Sequence, residues 1–498
     1  MDKSVSQLSG QRFPDPVANL IAAWVPAAPA KLDEATERAA RNVLIDAIAV
    51  SLGALRHPAA QLARRHAYRF AGADAGCVVW GTKRRAHPEL AALTNGVLLR
   101  CYDYNDFMVG ARNSGHPSDM IGGVIAAAEW TGASGAALLR ALAVGYEAVG
   151  AMFDAFSTAP GGWDYTNLTG IGATCAIAAL LGLDAGQTRE AIAMTVVPHM
   201  ATDEIESGEL NTRGDLTMWK RFNGSDAVRN ALQACLLASV GVEGAVRPFT
   251  GPFGFLKKLQ NDWDPLPALS ERLVPGKALT RISKASMKRW PVGSVAQSAI
   301  QAALDARAQC SDLSRIAQIR VFAEEGAYEH LVKIRDNPWE PISRETADHS
   351  LPYIVATAAL DGYVTVDSFN LDKVNDPARR AFLKDKVKVS PDASLGALAD
   401  GKLKRAAAGY LSRVEFELAD GSVLHGAARP FPGHPDNPFH QDDLVAKLHE
   451  NVEPLAGAGH AARIADALLA VAHLERVDGL TALFALDESL PVDVPLAG

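Results

Sequence analysis

The sequence predicts a mainly α fold, with a large helical domain built from both chain ends and a smaller α+β lid domain inserted before the last helices. Three observations predict it. Apolar residues recur at three- and four-residue spacing from about residue 15 to residue 280, the period of one helix face. Beyond residue 280 short alternating runs appear, the period of strands. After the proline-rich connector PFPGHPDNPFHQ (430–441) the helical period returns. The boundaries drawn from this are 1–280 with 437–498 for the helical domain and 281–436 for the lid domain. A cleft between two such domains is a natural ligand site.

Element by element, EATERAARNVLIDAIAVSLGAL (34–55) and SGAALLRALAVGYEAVGAMF (134–153) carry one apolar face each. DMIGGVIAAAEW (119–130) is apolar nearly all round and predicts a central helix. TNLTGIGATCAIAALLGL (166–183) and SDAVRNALQACLLASVGV (225–242) open with Thr166 and Ser225, both good N-caps. RIAQIRVFAEEG (315–326), DKVKVSPD (385–392) and RVEFELADGSVLHGAARP (413–430) predict strands. In the last, Val414, Phe416 and Leu418 alternate with Glu415 and Glu417, and Asp420–Gly421 predicts a two-residue hairpin turn. Between the strands, 292–308 and 350–362 predict helices.

Composition narrows the function. Hydrophobic residues at 48% and charged residues at 21% of 498 describe a folded chain with a large core. A net charge of −8 argues against a nucleic-acid surface but leaves room for a small anionic ligand held by local cations. MDKSVSQLSGQRFPDP lacks the apolar core of a signal peptide, and no charge-free stretch is patterned to cross a bilayer. A cytoplasmic protein without a membrane partner is expected. Cys77, Cys101, Cys175, Cys235 and Cys310 are widely spaced with no C-x-x-C pair, so no disulfide framework, structural zinc, iron–sulfur cluster or other cofactor is expected.

The chemistry concentrates in YDYNDFMVGARNSGHPSDM (102–120). Asp103 and Asp106 would share a face if the preceding helix continues through them, and Ser118 or Asp119 can cap the next helix. His116 precedes a proline that restricts its backbone. A carboxylate and an imidazole facing one pocket can take a proton and return one. A helix-terminal turn around Asp103 and Asp106, with His116 satisfied in a loop, accounts for the same residues, and composition leaves both readings open. TMWKRFNGSDA (217–227) and KASMKRWPVGSVAQSA (284–299) each set a Lys-Arg pair beside a tryptophan, and Lys220, Arg221, Lys288 and Arg289 can face a carboxylate or simply solvent. Trp163-Asp164-Tyr165 describes either a pocket wall or a loop; Asp348 or Ser350 is expected to cap the 350–362 helix, and His434 to be structural.

These stretches together resemble the 2-methylcitrate dehydratase family (MmgE/PrpD). DYNDFMVGARNSGHPSDMIGG, LTMWKRFNGSDAVRNA, KRWPVGSVAQSAIQAAL, DHSLPYIVATAALDG and the strand-turn-GHPDNP block stand in that family's order. The resemblance implies a helical domain with a lid domain, a homodimer, no metal cluster, and a site between the domains that binds a small-molecule carboxylate. It implies that Asp103 and His116 are active-site residues and that Lys220 and Lys288 face the substrate. Asn105 and Asp106 lie in the same motif and would shape the pocket, with Arg289, Asp164 and Tyr165 as further substrate-binding candidates.

The chain departs from the family's patterns at several places. The decarboxylase branch carries histidines where Asp164 and Gly293 stand here, and Phe107-Met108 and Met120 replace the dehydratase branch's usual residues. The expected activity is dehydration of a 2-methylcitrate-like tricarboxylic acid. Asp103 and His116 would be the acid/base pair, direction unassigned, with Lys220 and Lys288, helped by Arg289, neutralising carboxylates. Epimerisation or decarboxylation of a related acid, or carboxylate binding without turnover, are the alternatives.

Overall fold

The computed structural model describes residues 15–70, 76–206, 211–212, 216–396 and 410–486. It is mainly helical. The first part of the chain forms α1 (Pro16–Ala27), α2 (Glu34–Gly53), α3 (Pro58–Tyr68), α4 (Pro88–Arg100), α5 (Ile121–Thr131) and α6 (Gly135–Ala155), then α7 (Thr166–Leu181), α8 (Ala185–Val196) and α9 (Trp219–Ser239). α10 (Gln297–Ala308), α11 (Leu351–Asp361) and α12 (Pro377–Lys386) follow, and α13 (Gln441–Ala456) and α14 (Ala458–Leu469) come last. Two-residue strands pair as β1 (Cys77–Val78) with β2 (Arg85–Ala86) and β3 (Met108–Val109) with β4 (Ser114–Gly115). A four-stranded sheet holds β5 (Ile316–Ala323), β6 (Val387–Pro391), β7 (Ser412–Leu418) and β8 (Val423–Gly426) in the order β6-β5-β7-β8.

Two hydrophobic clusters organise these elements. The larger joins α1–α9 to α13 and α14, so the C-terminal helices pack back onto the N-terminal ones. At its centre α6 is long and apolar enough to cross a membrane, yet most of it is buried among its neighbours. It runs closely beside α7 because Gly172 has no side chain: a Cβ there would lie 2.1 Å from Val149 Cγ2. The smaller cluster packs α10 and α11 on the sheet and draws on residues from Trp290 to Phe431, plus Phe107. In β7 Val414, Phe416 and Leu418 point inward while Glu415 and Glu417 face out, as their alternation predicts. Ile282, Ala285 and Met287, placed by sequence in the smaller unit, pack in the larger cluster because the 3-10 turn Arg281–Lys284 lies against α2 and α6.

Local expectations fail where side chains take unforeseen partners. α9 starts at Trp219, so Ser225 lies inside the helix rather than capping it. Thr166 is the first residue of α7 rather than its cap, and Asp164 Oδ1 accepts from its N–H at 2.7 Å. The hairpin turn has three residues rather than two: Leu418 N donates to Ser422 O at 2.8 Å, with Gly421 at φ 84°. The last turn residue is left-handed, which suits glycine.

Candidate active site

The site starts where α4 stops. Arg100 is the last helical residue, and Asp103 follows with φ 47°, a left-handed conformation that aspartate tolerates better than most side chains. Asp103 and Asp106 therefore do not share a helix face. Directly after Asp106, Phe107 pairs with Ser286, each N–H donating to the other's carbonyl at 2.9 and 2.8 Å. This bridge lays the segment that carries Lys288 against the loop that carries Asp103. Phe107 and Met120, where the sequence departs from the family, fill core space instead: Phe107 stacks on Phe431 and Met120 packs beside Gly145.

Lys288 is fully buried, and its Nζ donates to Asp103 Oδ1 at 2.8 Å and to Asp103 O at 2.7 Å. Arg100 Nη1 lies 3.6 Å from the same oxygen, and His349 Nε2 lies 3.6 Å from Asp103 Oδ2. Burial alone would raise the Asp103 carboxyl, but Lys288, Arg100 and His349 overcome it and hold the group well below the usual carboxylate range. Lys288 itself is pushed down by burial. Lys220, buried on α9, places Nζ 3.3 Å from His349 Nε2. The helix can carry a charged residue here because Gly224 lets it approach Asp119; a Cβ at 224 would sit 2.3 Å from Asp119 Oδ2.

His116 stands on the β4 side of the same loop. Its Nδ1 is 2.5 Å from the carbonyl of Asp106, which can only accept, so this nitrogen carries the hydrogen and Nε2 keeps its lone pair. The ring meets Tyr165 edge-on at 5.6 Å. Burial, then Arg100 and Lys288, hold the imidazole neutral well below its ordinary pKa of 6.5, against a pull from Asp103 in the other direction. Asp106 is a supporting residue: Oδ1 accepts from Ser118 N at 3.1 Å, capping the Pro117–Met120 turn, and Oδ2 accepts from Tyr146 Oη at 2.7 Å. The cap thus comes from Asp106, not from Ser118 or Asp119. Burial raises Asp106 and Asp119 to about 6 each. Asn105, fully buried, accepts from Arg100 Nη1 at 3.2 Å and donates to Ser118 Oγ at 2.9 Å.

The structure thus gathers Asp103, His116, Lys220, Lys288, Asn105, Asp106 and Tyr165 into one region, with Tyr165 Oη donating to Asp119 Oδ2 at 2.9 Å. It does not gather Arg289, whose guanidinium makes two bonds of 2.8 and 3.0 Å to Glu450 of α13 on the outer surface. Asp164 is buried but serves the start of α7. Sequence reasoning missed Arg100, hidden at the end of an apolar run, although it links Asp103, Asn105 and Asp119. It also missed the pair Asp348–His349. Ser350 alone caps α11, its Oγ accepting from Tyr353 N at 3.1 Å. Asp348 Oδ1 is left to meet His349 Nδ1 at 2.5 Å, and burial raises the Asp348 carboxyl to about 7.

A cavity of about 320 Å³ reaches His349 from outside, walled by Leu216, Pro338, Ile342, Arg335 and Glu345. Across Glu345 a second, of about 330 Å³, is lined by Arg56, Arg221 and Arg344. Asp103 and Lys288 line neither, so in this conformation the cations are closed over by their own contacts. Among the described residues no three His, Cys, Asp or Glu side chains converge as a metal site.

Comparison with known proteins matches both halves of the chain. Residues 19–267 match the MmgE/PrpD N-terminal domain and residues 290–472 the MmgE/PrpD C-terminal domain. The 2-methylcitrate dehydratase of Cupriavidus necator is 26% identical over 411 residues, covering 79% of this chain and 81% of the relative. An alkylcitrate dehydratase of a fungal species is 27% identical, covering 78% of each chain. The cis-aconitate decarboxylase of Mus musculus is 26% identical, covering 76% of this chain and 74% of the relative. With the two domain models matched in order over most of its length, the chain belongs to the MmgE/PrpD family and is an enzyme similar to the 2-methylcitrate dehydratases.

Proposed function

We propose that the protein is a hydro-lyase that dehydrates a tricarboxylic acid of the 2-methylcitrate type, using side chains alone for proton transfer. One observation carries this reading: a half-buried, neutral imidazole, His116, keeps Nε2 free near a cluster of three cations, Lys288, Lys220 and Arg100. A proton next to a carboxylate is weakly acidic, and a fixed base near fixed positive charge lowers the barrier to its removal. In this scheme His116 takes the proton through Nε2. Lys220, Lys288 and Arg100 meet the carboxylates and the charge that develops on them. Asp103, held ionised by its cations, is a poor proton donor, and its part is to keep Lys288 and Arg100 facing the site. The five cysteines support chemistry without an iron–sulfur cluster, since each is buried and they are distributed over separate elements.

The unit that packs around the sheet would act as the lid. The contacts Lys288–Asp103 and Lys220–His349 join residues borne by the two hydrophobic clusters or their junction, so opening breaks both and admits substrate to the cations. Gly293, where the decarboxylase branch has histidine, borders the same space: a Cβ there would lie 3.9 Å from Asp103 Oδ2 and from His349 Cδ2. Leaving that volume empty favours dehydration over decarboxylation. A homodimer would cover Val240, Val246 and Phe253, which stand 77%, 73% and 84% exposed.

The test is a panel of 2-methylcitrate, citrate, cis-aconitate and related acids, followed by alkene absorbance and carbon dioxide release. Alkene formed from 2-methylcitrate without carbon dioxide is the expected result. Carbon dioxide from cis-aconitate assigns a decarboxylase instead. Deuterium uptake from heavy water without alkene assigns an epimerase, and no turnover across the panel refutes the enzyme reading.

A further inference from the structure

Dehydration needs a second proton. Once His116 has taken one from carbon, the departing hydroxide must receive another, and Asp103 is held ionised by three neighbours. Among the described residues His349 is placed across the site from His116 to supply it. His349 comes from the far side of the site, on the turn before α11, and it also forms part of the wall of the 320 Å³ cavity. Its Nδ1 is fixed by Asp348 at 2.5 Å, while its Nε2 faces Lys220 Nζ at 3.3 Å and Asp103 Oδ2 at 3.6 Å.

We infer that His349 is the general acid of the reaction, giving its Nε2 proton to the leaving hydroxyl, and that Asp348 is the residue that positions it. The inference rests on the hydro-lyase reading above. In the step, the C–H electron pair becomes the second bond of the alkene and the proton passes to His116 Nε2. The C–O bond breaks with its pair on oxygen, and that oxygen leaves as water with the proton from His349. Each imidazole then resets by exchanging one proton with solvent. Asp348 meets one ring nitrogen, and a hydrogen on the other, Nε2, has Asp103 Oδ2 at 3.6 Å to accept it, with Lys220 Nζ, which only donates when charged, standing against it at 3.3 Å. The other charged or titratable groups near the ring are His330, its centroid 6.4 Å away, and Glu345 and Arg335 in the cavity wall. The geometry also divides the labour between the two clusters. The base comes from the helical side and the acid from the sheet side, so both protons move only when the two sides are closed together.

The test uses the full-length enzyme with 2-methylcitrate in heavy water, reading alkene formation and deuterium uptake into recovered substrate. His349→Gln should lower kcat for alkene at least about 100-fold while deuterium uptake, which needs only His116, continues. His116→Ala should lose both. If His349→Gln makes alkene at the wild-type rate, or loses deuterium uptake as well, the assignment of His349 as the acid is overturned while the hydro-lyase reading stands. If the wild-type enzyme makes no alkene, both readings fail together. Asp348→Asn keeps the side-chain shape and decides the matter should His349→Gln fail to fold. Without the carboxylate the imidazolium is less stable, so the alkaline limb of kcat should move to lower pH with KM little changed. A limb that stays in place overturns the inference.

Discussion

Replacing Lys288 by methionine isolates what the buried cation does. The substitution keeps most of the side chain's length and apolar volume, and removes both bonds from Nζ to Asp103, at 2.8 and 2.7 Å. It leaves a buried carboxylate short of its closest counter-charge. Breaking one side of a buried pair costs about 3–5 kcal/mol. The lower end applies here, because Arg100 and His349 remain 3.6 Å from the same carboxylate. We expect Lys288→Met to lose about 3 kcal/mol in urea unfolding at neutral pH, followed by tryptophan fluorescence. The double variant Asp103→Asn/Lys288→Met should recover most of that loss, since the stranded charge is gone and Arg100 still has Asp119 at 3.6 Å. The pH dependence has a fixed sign. Asp103 has a folded pKa below its unfolded one, so its stabilisation is full above the unfolded value and is lost as pH falls through the folded value. Removing Lys288 lifts the folded value, so acid unfolding begins at higher pH in the single variant. Equal stability of the single variant and the wild type, or a double variant less stable than the single, would refute this account of the pair.

His116→Ala should lower kcat on the productive tricarboxylate by about 10²–10⁴-fold with the fold intact by circular dichroism, and an unchanged kcat would remove it from the mechanism. Because its ring stays neutral well below 6.5, the acid limb of kcat/KM should lie below that value; a limb centred near about 7 contradicts the neutral-base assignment. Arg289→Ala breaks a surface pair with Glu450 and a contact with Tyr104, so stability should change by less than about 1 kcal/mol, and kcat/KM should stay within a factor of three (about 0.7 kcal/mol); a larger fall would bring Arg289 back into the site. Lys447→Met removes a buried ammonium bound to Asp46 Oδ1 and to the carbonyl of Lys288, each at 2.6 Å, so it should cost about 3–5 kcal/mol in urea unfolding and also lower kcat/KM, and a fully active variant would show that Lys288 needs no such support.

What the sequence made legible was periodicity and motif. Helices with one apolar face and strands such as β7 could be read because burial enforces a regular spacing. The motif residues Asp103, His116, Lys220 and Lys288 could be picked out, yet their geometry could not. Nothing in YDYND announces that Asp103 turns left-handed and so separates from Asp106. Arg100 and Arg289 illustrate the limit. One ends an apolar run and the other belongs to a Lys-Arg pair, and only the fold shows that the first lies between two carboxylates while the second reaches a surface glutamate. In the same way Asp348 and Ser350 are two candidate caps for one helix. Choosing Ser350 as the cap depends on backbone directions that spacing does not encode.

Lys447 joins parts of the chain that are made far apart in time. Asp46, which it neutralises, leaves the ribosome early, and the Lys288 carbonyl it grips emerges later, but the ammonium itself comes some 400 residues after Asp46. Until then Asp46 lacks its closest counter-charge, and the lysine over Asp103 lacks its backing. A nascent chain therefore cannot assemble a competent centre piecemeal. Synthesis must pass α13 before the lysine over Asp103 has its support.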